Sequence, residues 1–304
     1  MINQQREMIL IVVDNRENNW NRWKKTAGSF DMEEIQMAFR ILVCAKQVPD
    51  TNVIKINPKT GTLIRDGVPS ILNNDDANAL EEALKIKDKF DDVTVSVITM
   101  GPPQANDLLF ECIAKGADEG FLISDRAVGG SDTWATSNTL EAGIRKWVKE
   151  NGDFDLIFTG RQAIDGDTAQ VGPQLAEKLG IPQVSYVEEF EIADNLKDIT
   201  VKRQLEDGYE LIKIQTPCLL TTIKELNTPR YMTMKGIFGD KKMTTWNAKD
   251  IEVDLTKVGL EASPTNVFRS FTPAPKQPGV KIEGDTEKEQ AKNLLINLKA
   301  KHSI

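Results

Sequence analysis

From Ile41 onward, short runs of aliphatic and β-branched residues alternate with stretches in which apolar positions recur every three or four residues. The first run, Ile41 to Val48, precedes a helical pattern over Asp76 to Lys89. A second run over Val93 to Thr99 precedes a helical pattern over Pro103 to Lys115. Phe121 to Ser124, a helix over Thr133 to Lys149, Phe154 to Thr159 and a helix over Gln170 to Leu179 continue the rhythm. Strand and helix alternating in this way predict an α/β fold, a doubly wound and mostly parallel sheet covered on both faces. Val53 to Arg65, around Pro58-Lys59-Thr60-Gly61, and Ile199 to Lys213, around Asp207-Gly208, read as hairpins.

The rhythm has two edges. Residues 1–37 do not share it and read as an appended extension of unknown role, leaving 38–235 as the α/β domain. After about Gly236 the pattern fades into short extended pieces, a proline-rich stretch from Thr272 to Gly279 and a final amphipathic helix from Thr286 to Lys299. Residues 236–304 are therefore expected to form an arm that packs on another chain, since such a segment builds no core of its own.

Composition narrows the chemistry. The 304 residues are 40% apolar, enough for one large core or two modest ones, and the net charge of -8 sets no field toward nucleic acid or anionic membrane. The apolar run Met8 to Val13 is about a third of the ~20 residues that a bilayer span needs, so a cytoplasmic protein is expected. Cys44, Cys112 and Cys218 stand far apart and outside any Cys-x-x-Cys pair, which argues for buried thiols and against a disulfide framework or zinc site. The one histidine, His302, lies almost at the C-terminus. Histidine-based nucleophilic triads and metal sites are thus not expected, and the chemistry falls to carboxylates, lysines or a bound cofactor.

Ligands of open parallel sheets sit beyond the carboxyl ends of the strands, where four loops converge here. They read Cys44-Ala-Lys-Gln-Val-Pro-Asp, Met100-Gly-Pro-Pro, Asp125-Arg-Ala-Val-Gly-Gly-Ser-Asp-Thr and Gly160-Arg-Gln-Ala-Ile-Asp-Gly-Asp-Thr-Ala-Gln. In the fourth, Gly160 and Gly166 permit close backbone approach or positive φ, and Asp167 or Thr168 can cap a helix starting near Ala169, whose free amides would hold an anion. Asp165 is expected to face a ribose or to turn away, because two carboxylates beside a phosphate repel it. A capped loop without ligand satisfies the same spacing. Gly129-Gly-Ser-Asp-Thr is loosely similar to the loop of ATP pyrophosphatases, but it follows the third strand and lacks the leading serine. Lys46 and Asn73-Asn-Asp-Asp are weaker candidates for the same site; a solvated lysine and a turn capping a helix explain them equally well. Leu226-Asn-Thr-Pro-Arg-Tyr-Met-Thr-Met-Lys-Gly-Ile-Phe is a methionine-rich, turn-containing segment suited either to a partner surface or to a buried connection.

Taken together, Ile41-Leu-Val-Cys-Ala-Lys-Gln-Val-Pro-Asp, Gly160-Arg-Gln-Ala-Ile-Asp-Gly-Asp-Thr-Ala-Gln-Val-Gly-Pro, Val201-Lys-Arg-Gln-Leu-Glu-Asp-Gly and Leu226-Asn-Thr-Pro-Arg-Tyr resemble, in this order, the β subunit of electron transfer flavoproteins. The resemblance runs from about Arg40 to the C-terminus. It implies a Rossmann-like adenine nucleotide fold, an α subunit as partner, and a nucleotide site holding AMP or a second FAD. The cofactor residues it implies are Cys44, Asn73, Asn74, Asp75, Asp76 and Met100, together with Gly160, Arg161, Gln162, Ala163, Ile164, Asp165, Gly166, Asp167, Thr168, Ala169, Gln170 and Val171. Partner recognition would map to Leu226, Asn227, Pro229, Arg230 and Tyr231, with Met234 where a leucine docks into a dehydrogenase. The Asp165-Gly-Asp-Thr segment and the longer third loop resemble the electron-bifurcating members, which carry FAD in place of AMP. That branch implies NADH as donor, ferredoxin or flavodoxin and a flavin dehydrogenase acting on an acyl-CoA or 2-hydroxy acid as acceptors, and Asp132, Thr133 and Thr136 near the flavin. A simple electron carrier with structural AMP is the alternative, and a nucleotide-hydrolysing enzyme of the ATP-pyrophosphatase kind is the third reading.

Overall fold

The computed structural model describes residues 10–12, 38–50, 69–265, 267–268 and 278–302. Among these, the predicted rhythm becomes β2 (Phe39–Cys44), α1 (Asn74–Lys89), β5 (Val93–Met100), α2 (Asn106–Lys115), β6 (Glu119–Ile123), α3 (Thr133–Asn151), β7 (Leu156–Gly160) and α4 (Val171–Leu179). β2, β5, β6 and β7 are parallel, in the order β7-β2-β5-β6. Their continuous apolar runs follow from burial on both faces. Ile41 and Val43 pack under α1 and α2 with Leu80, Leu84 and Leu109, while Leu42 and Cys44 point to the other side, toward Ile144, Trp147 and Leu175 of α3 and α4. The α/β class expected from sequence is the class observed.

The sheet extends beyond that rhythm on both sides. Two short strands, β3 (Gln47–Pro49) and β4 (Ser70–Leu72), pair antiparallel outside it. β8 (Gln183–Ile192), β9 (Asp198–Gln204) and β10 (Tyr209–Gln215) form an antiparallel meander, and the hairpin expected around Asp207-Gly208 joins the last two. The chain then returns as β11 (Cys218–Thr222), buried along its length, which inserts parallel between β7 and β8. β12 (Met243–Trp246) pairs with β6, and Phe121 stacks on Trp246 at 4.8 Å between ring centroids. The sheet therefore continues past the point where the sequence rhythm fades. Within the extension, β1 (Leu10–Val12) lies parallel to β10 at the far edge. The expected hairpin over Val53 to Arg65 lies outside the described residues, as does most of the proline-rich stretch.

Two compact units divide the chain. The sheet and its helices make up the first; the second comprises 55–64 and 268–304, and its described part is dominated by α6 (Glu287–Ala300), N-capped by Thr286. None of the residues of α6 is buried, and Leu294, Leu295 and Ile296 are about half exposed. Among the described residues, no helix is long and apolar enough to cross a membrane.

Candidate functional site

The strand order reverses between β2 and β7: the chain leaves β2 toward β5 and β6 on one side and comes back to β7 on the other. The loops above these two strands leave in opposite directions, and the gap between the strand ends is the usual ligand position in doubly wound sheets. The N-terminus of α1 fills the floor of that gap. Asn73 is fully buried; its Nδ2 donates to the Gln162 carbonyl at 2.8 Å and its Oδ1 accepts from the Ile164 amide at 3.1 Å. Asp76 accepts from the Lys46 amide at 2.8 Å through one oxygen and from the Gly160 amide at 2.9 Å through the other. A Cβ on Gly160 would overlap this carboxylate and lie 2.7 Å from the Asp76 amide, so only glycine fits.

Burial pushes the Asp76 carboxyl up to about 7, although its amide donors from Lys46 and Gly160 and the Asn73 side chain oppose the shift. The Cys44 thiol beside it is pushed up to about 12 by burial and then by the charge of Asp76, so it stays protonated and unreactive. Asp75 is also raised by burial, which outweighs the Arg161 guanidinium 3.5 Å away. Arg161 in turn lies over the Tyr186 ring.

Above this floor runs the loop 161–170. Lys46 is exposed, as a solvated lysine would be, and it also pairs at 2.6 Å with Asp165, whose side chain is only 8% exposed. Asp167 accepts from Gln162 Nε2 at 2.8 Å. Both loop acids are thus engaged within the protein. Neither Asp167 nor Thr168 caps the following helix, which begins at Val171 with Gln170 as N-cap and no side-chain cap bond. The left-handed positions are Asp167 and Ala169, with φ of 49° and 52°, and not Gly166, around which a Cβ would meet nothing within 4 Å. Such backbone strain is commonest where a loop is shaped for a ligand.

The third loop contributes differently. Asp132 caps α3 by accepting from the Ala135 amide at 2.9 Å, and its second oxygen accepts from the Thr265 amide at 2.9 Å. Ser131 donates to the Val128 carbonyl and accepts from the Gly259 amide, so both polar side chains hold the fold together. Thr133 Oγ1 lies 2.8 Å from Gln170 Oε1 and 3.4 Å from Gln174 Nε2, joining the third loop to the start of α4. Gln174 and Tyr186 escaped the sequence reading. Met100 packs against the core under α3. Asn74 is exposed as the first residue of α1.

The segment from Leu226 to Arg230 occupies another place altogether. Leu226 packs on the core beneath α1, and Asn227 and Arg230 are bonded to the outer side of that helix. Beyond them Tyr231, Met234 and Phe238 are largely exposed, Met234 opening a short helix α5 (Met234–Phe238) capped by Thr233.

A mostly parallel sheet wound in both directions, with polar loops at its switch point, defines a doubly wound α/β protein. Residues 60–252 match the electron transfer flavoprotein domain. The chain is 60% identical over 267 residues to the caffeyl-CoA reductase-Etf complex subunit CarD of Acetobacterium woodii, covering 87% of this chain and 100% of that protein. It is 54% identical to the electron transfer flavoprotein subunit beta of Clostridium acetobutylicum (87% and 99% covered) and 49% identical to the acryloyl-CoA reductase electron transfer subunit gamma of Anaerotignum propionicum (87% and 100%). The chain belongs to the electron transfer flavoprotein family, on the side of its β subunits.

Proposed function

We propose that this protein is the β subunit of an electron-bifurcating electron transfer flavoprotein, working with an α subunit and binding FAD at the gap between β2 and β7. The observation that carries this reading is that both acids of the fourth loop are engaged within the protein, Asp165 by an ion pair with Lys46 and Asp167 by a hydrogen bond from Gln162. With the charge of Asp165 offset by Lys46 and Asp167 turned to Gln162, the uncapped start of α4 offers its amides to a diphosphate with less carboxylate repulsion. The residues present fit the group on that ground. FAD held there supplies hydride acceptance from NADH and one-electron delivery to two acceptors, ferredoxin or flavodoxin and, by way of the α-subunit flavin, a dehydrogenase.

The protein's own part is to bind and orient. Gly166 leaves room for the phosphates. Asn73 and Asp76 keep the two walls of the gap in register. Asp132 fixes the start of α3, and with it Thr133 and Thr136, on the neighbouring wall. The names of the relatives, an Etf subunit of a caffeyl-CoA reductase complex and an electron transfer subunit of acryloyl-CoA reductase, favour an acyl-CoA type dehydrogenase as partner.

Counting the flavins released by acid from the co-expressed αβ pair, with NADH titrated into the same preparation, tests the reading. Two flavins per pair and bleaching by NADH are expected. One flavin accompanied by AMP would convert the assignment to a simple electron carrier.

A further inference from the structure

Helix α1 buries polar groups that the nucleotide site does not use. Asn78, Glu81 and Glu82 are between 4 and 7% exposed, and charged side chains are seldom so buried unless paired. Positions 78, 81 and 82 share one helical face, and their partners lie about 149 residues further along the chain. Asn78 Nδ2 donates to the Asn227 carbonyl at 2.7 Å, and Asn227 Nδ2 returns bonds to the Asn78 carbonyl at 3.0 Å and to Glu82 at 2.8 Å. Arg230 gives Glu81 both its backbone amide and a two-pronged guanidinium contact at 2.9 and 3.0 Å, and reaches Asp88 at 2.7 Å. These bonds hold the base of the segment whose tip exposes Tyr231, Met234 and Phe238. The far side of the tip is held as well. Thr233 donates its amide to the Ala114 carbonyl at the end of α2, and Gly236 sits so close to that carbonyl that a Cβ could not be accommodated.

We propose that α1 is a positioning strut. Glu81 and Asn78 hold the segment 231–238 in the shape that docks a flavin dehydrogenase, while Asn73 and Asp76, at the N-terminus of the same helix, pin the loops of the nucleotide site. The inference rests on the reading of 226–238 as the dehydrogenase surface. Its physical content is preorganisation: a segment already ordered loses less entropy on docking, so releasing it weakens association while leaving electron transfer within the docked complex intact. The positioning residues therefore act on the KM for the partner and not on kcat.

The test uses the αβ complex with Glu81→Gln and Glu81→Ala, the first keeping the side-chain volume, and an acyl-CoA dehydrogenase chosen because the wild-type complex reduces it. The KM for that dehydrogenase should rise by about fivefold or more in both variants, because the released segment must be ordered again on docking, with kcat within about twofold. Amide exchange in 227–238 should quicken, and NADH-dependent dye reduction and flavin content should stay at wild-type values. Met234→Asp is measured in parallel. Should Met234→Asp leave the KM unchanged, the docking surface itself is misassigned and the strut falls with it. If Met234→Asp raises the KM but both Glu81 variants do not, the strut alone is overturned. Loss of dye reduction or flavin in Glu81→Gln would also overturn it, by making the role one of general folding.

Discussion

Asp76 shows how much of the site rests on one side chain. Its two oxygens end the backbone amides of residues 30 positions before it and 84 after it, and so tie the ends of β2 and β7 together. Asp76→Ala leaves two buried N–H groups without acceptors and should cost about 2–4 kcal/mol in urea unfolding. The pH dependence has a definite sign. With the folded carboxyl pushed up to about 7 and the unfolded one near the ordinary aspartate value of about 3.9, the native state binds the extra proton between those limits. This group's contribution to stability therefore declines as pH rises from about 4 to about 7 and is flat above that. Asp76→Asn removes the slope, so the wild type should gain on the variant toward pH 5; parallel midpoints at every pH would refute the assignment. Gly166 gives the complementary case. Because a side chain there meets nothing in the protein, Gly166→Val should fold normally yet lose nucleotide from the β site, halving the flavin of the pair, and retention of two flavins would remove 160–171 from the phosphate site.

At the scale of elements, the seating of α4 decides where its amides point. Gly172 lets the helix approach β7 and β11 so closely that a Cβ would lie 2.7 Å from Thr221 Cγ2 and 2.8 Å from Thr159 Oγ1. Gly172→Val must push the helix outward, at a cost of about 1–3 kcal/mol for an overpacked contact. A lowered midpoint of thermal unfolding together with weakened nucleotide retention is expected; unchanged retention would mean that the start of α4 does not hold the ligand. The same element shows what sequence could not give. The residue types of a capped anion loop are present from Gly160 to Gln170, but the cap itself is missing because Asp167 turns to Gln162.

For the whole molecule, exposed apolar surface is the main feature that the chain leaves unsettled within itself. Phe268 is fully exposed, and in the second unit Leu294, Leu295 and Ile296 line a helix with no buried residue. Large apolar side chains left exposed in this way favour a partner that covers them. Expressed alone, the chain should lose residues 278–302 to trypsin faster than the sheet unit is cleaved, and co-expression with the α subunit should protect them. Equal protection in both preparations would show that the helix needs no partner chain.

The sequence by itself determined the parallel α/β rhythm from β2 to α4, the loops at the strand ends and the family to which the chain belongs, because each depends on local periodicity or on contiguous motifs. It could not show β11, whose five residues are buried on both faces and carry no alternation, nor the place of β12 at the other edge. Which polar side chains are engaged within the fold was decided by tertiary structure alone. Lys46 reaches Asp165 across 119 residues, Asn73 reaches Gln162 across 89, and Asn78 reaches Asn227 across 149. A side chain's charge and hydrogen-bonding capacity are written at its own position, but the partner that consumes them is brought beside it only when the sheet closes, and that pairing decides whether an aspartate repels an anion or leaves room for it.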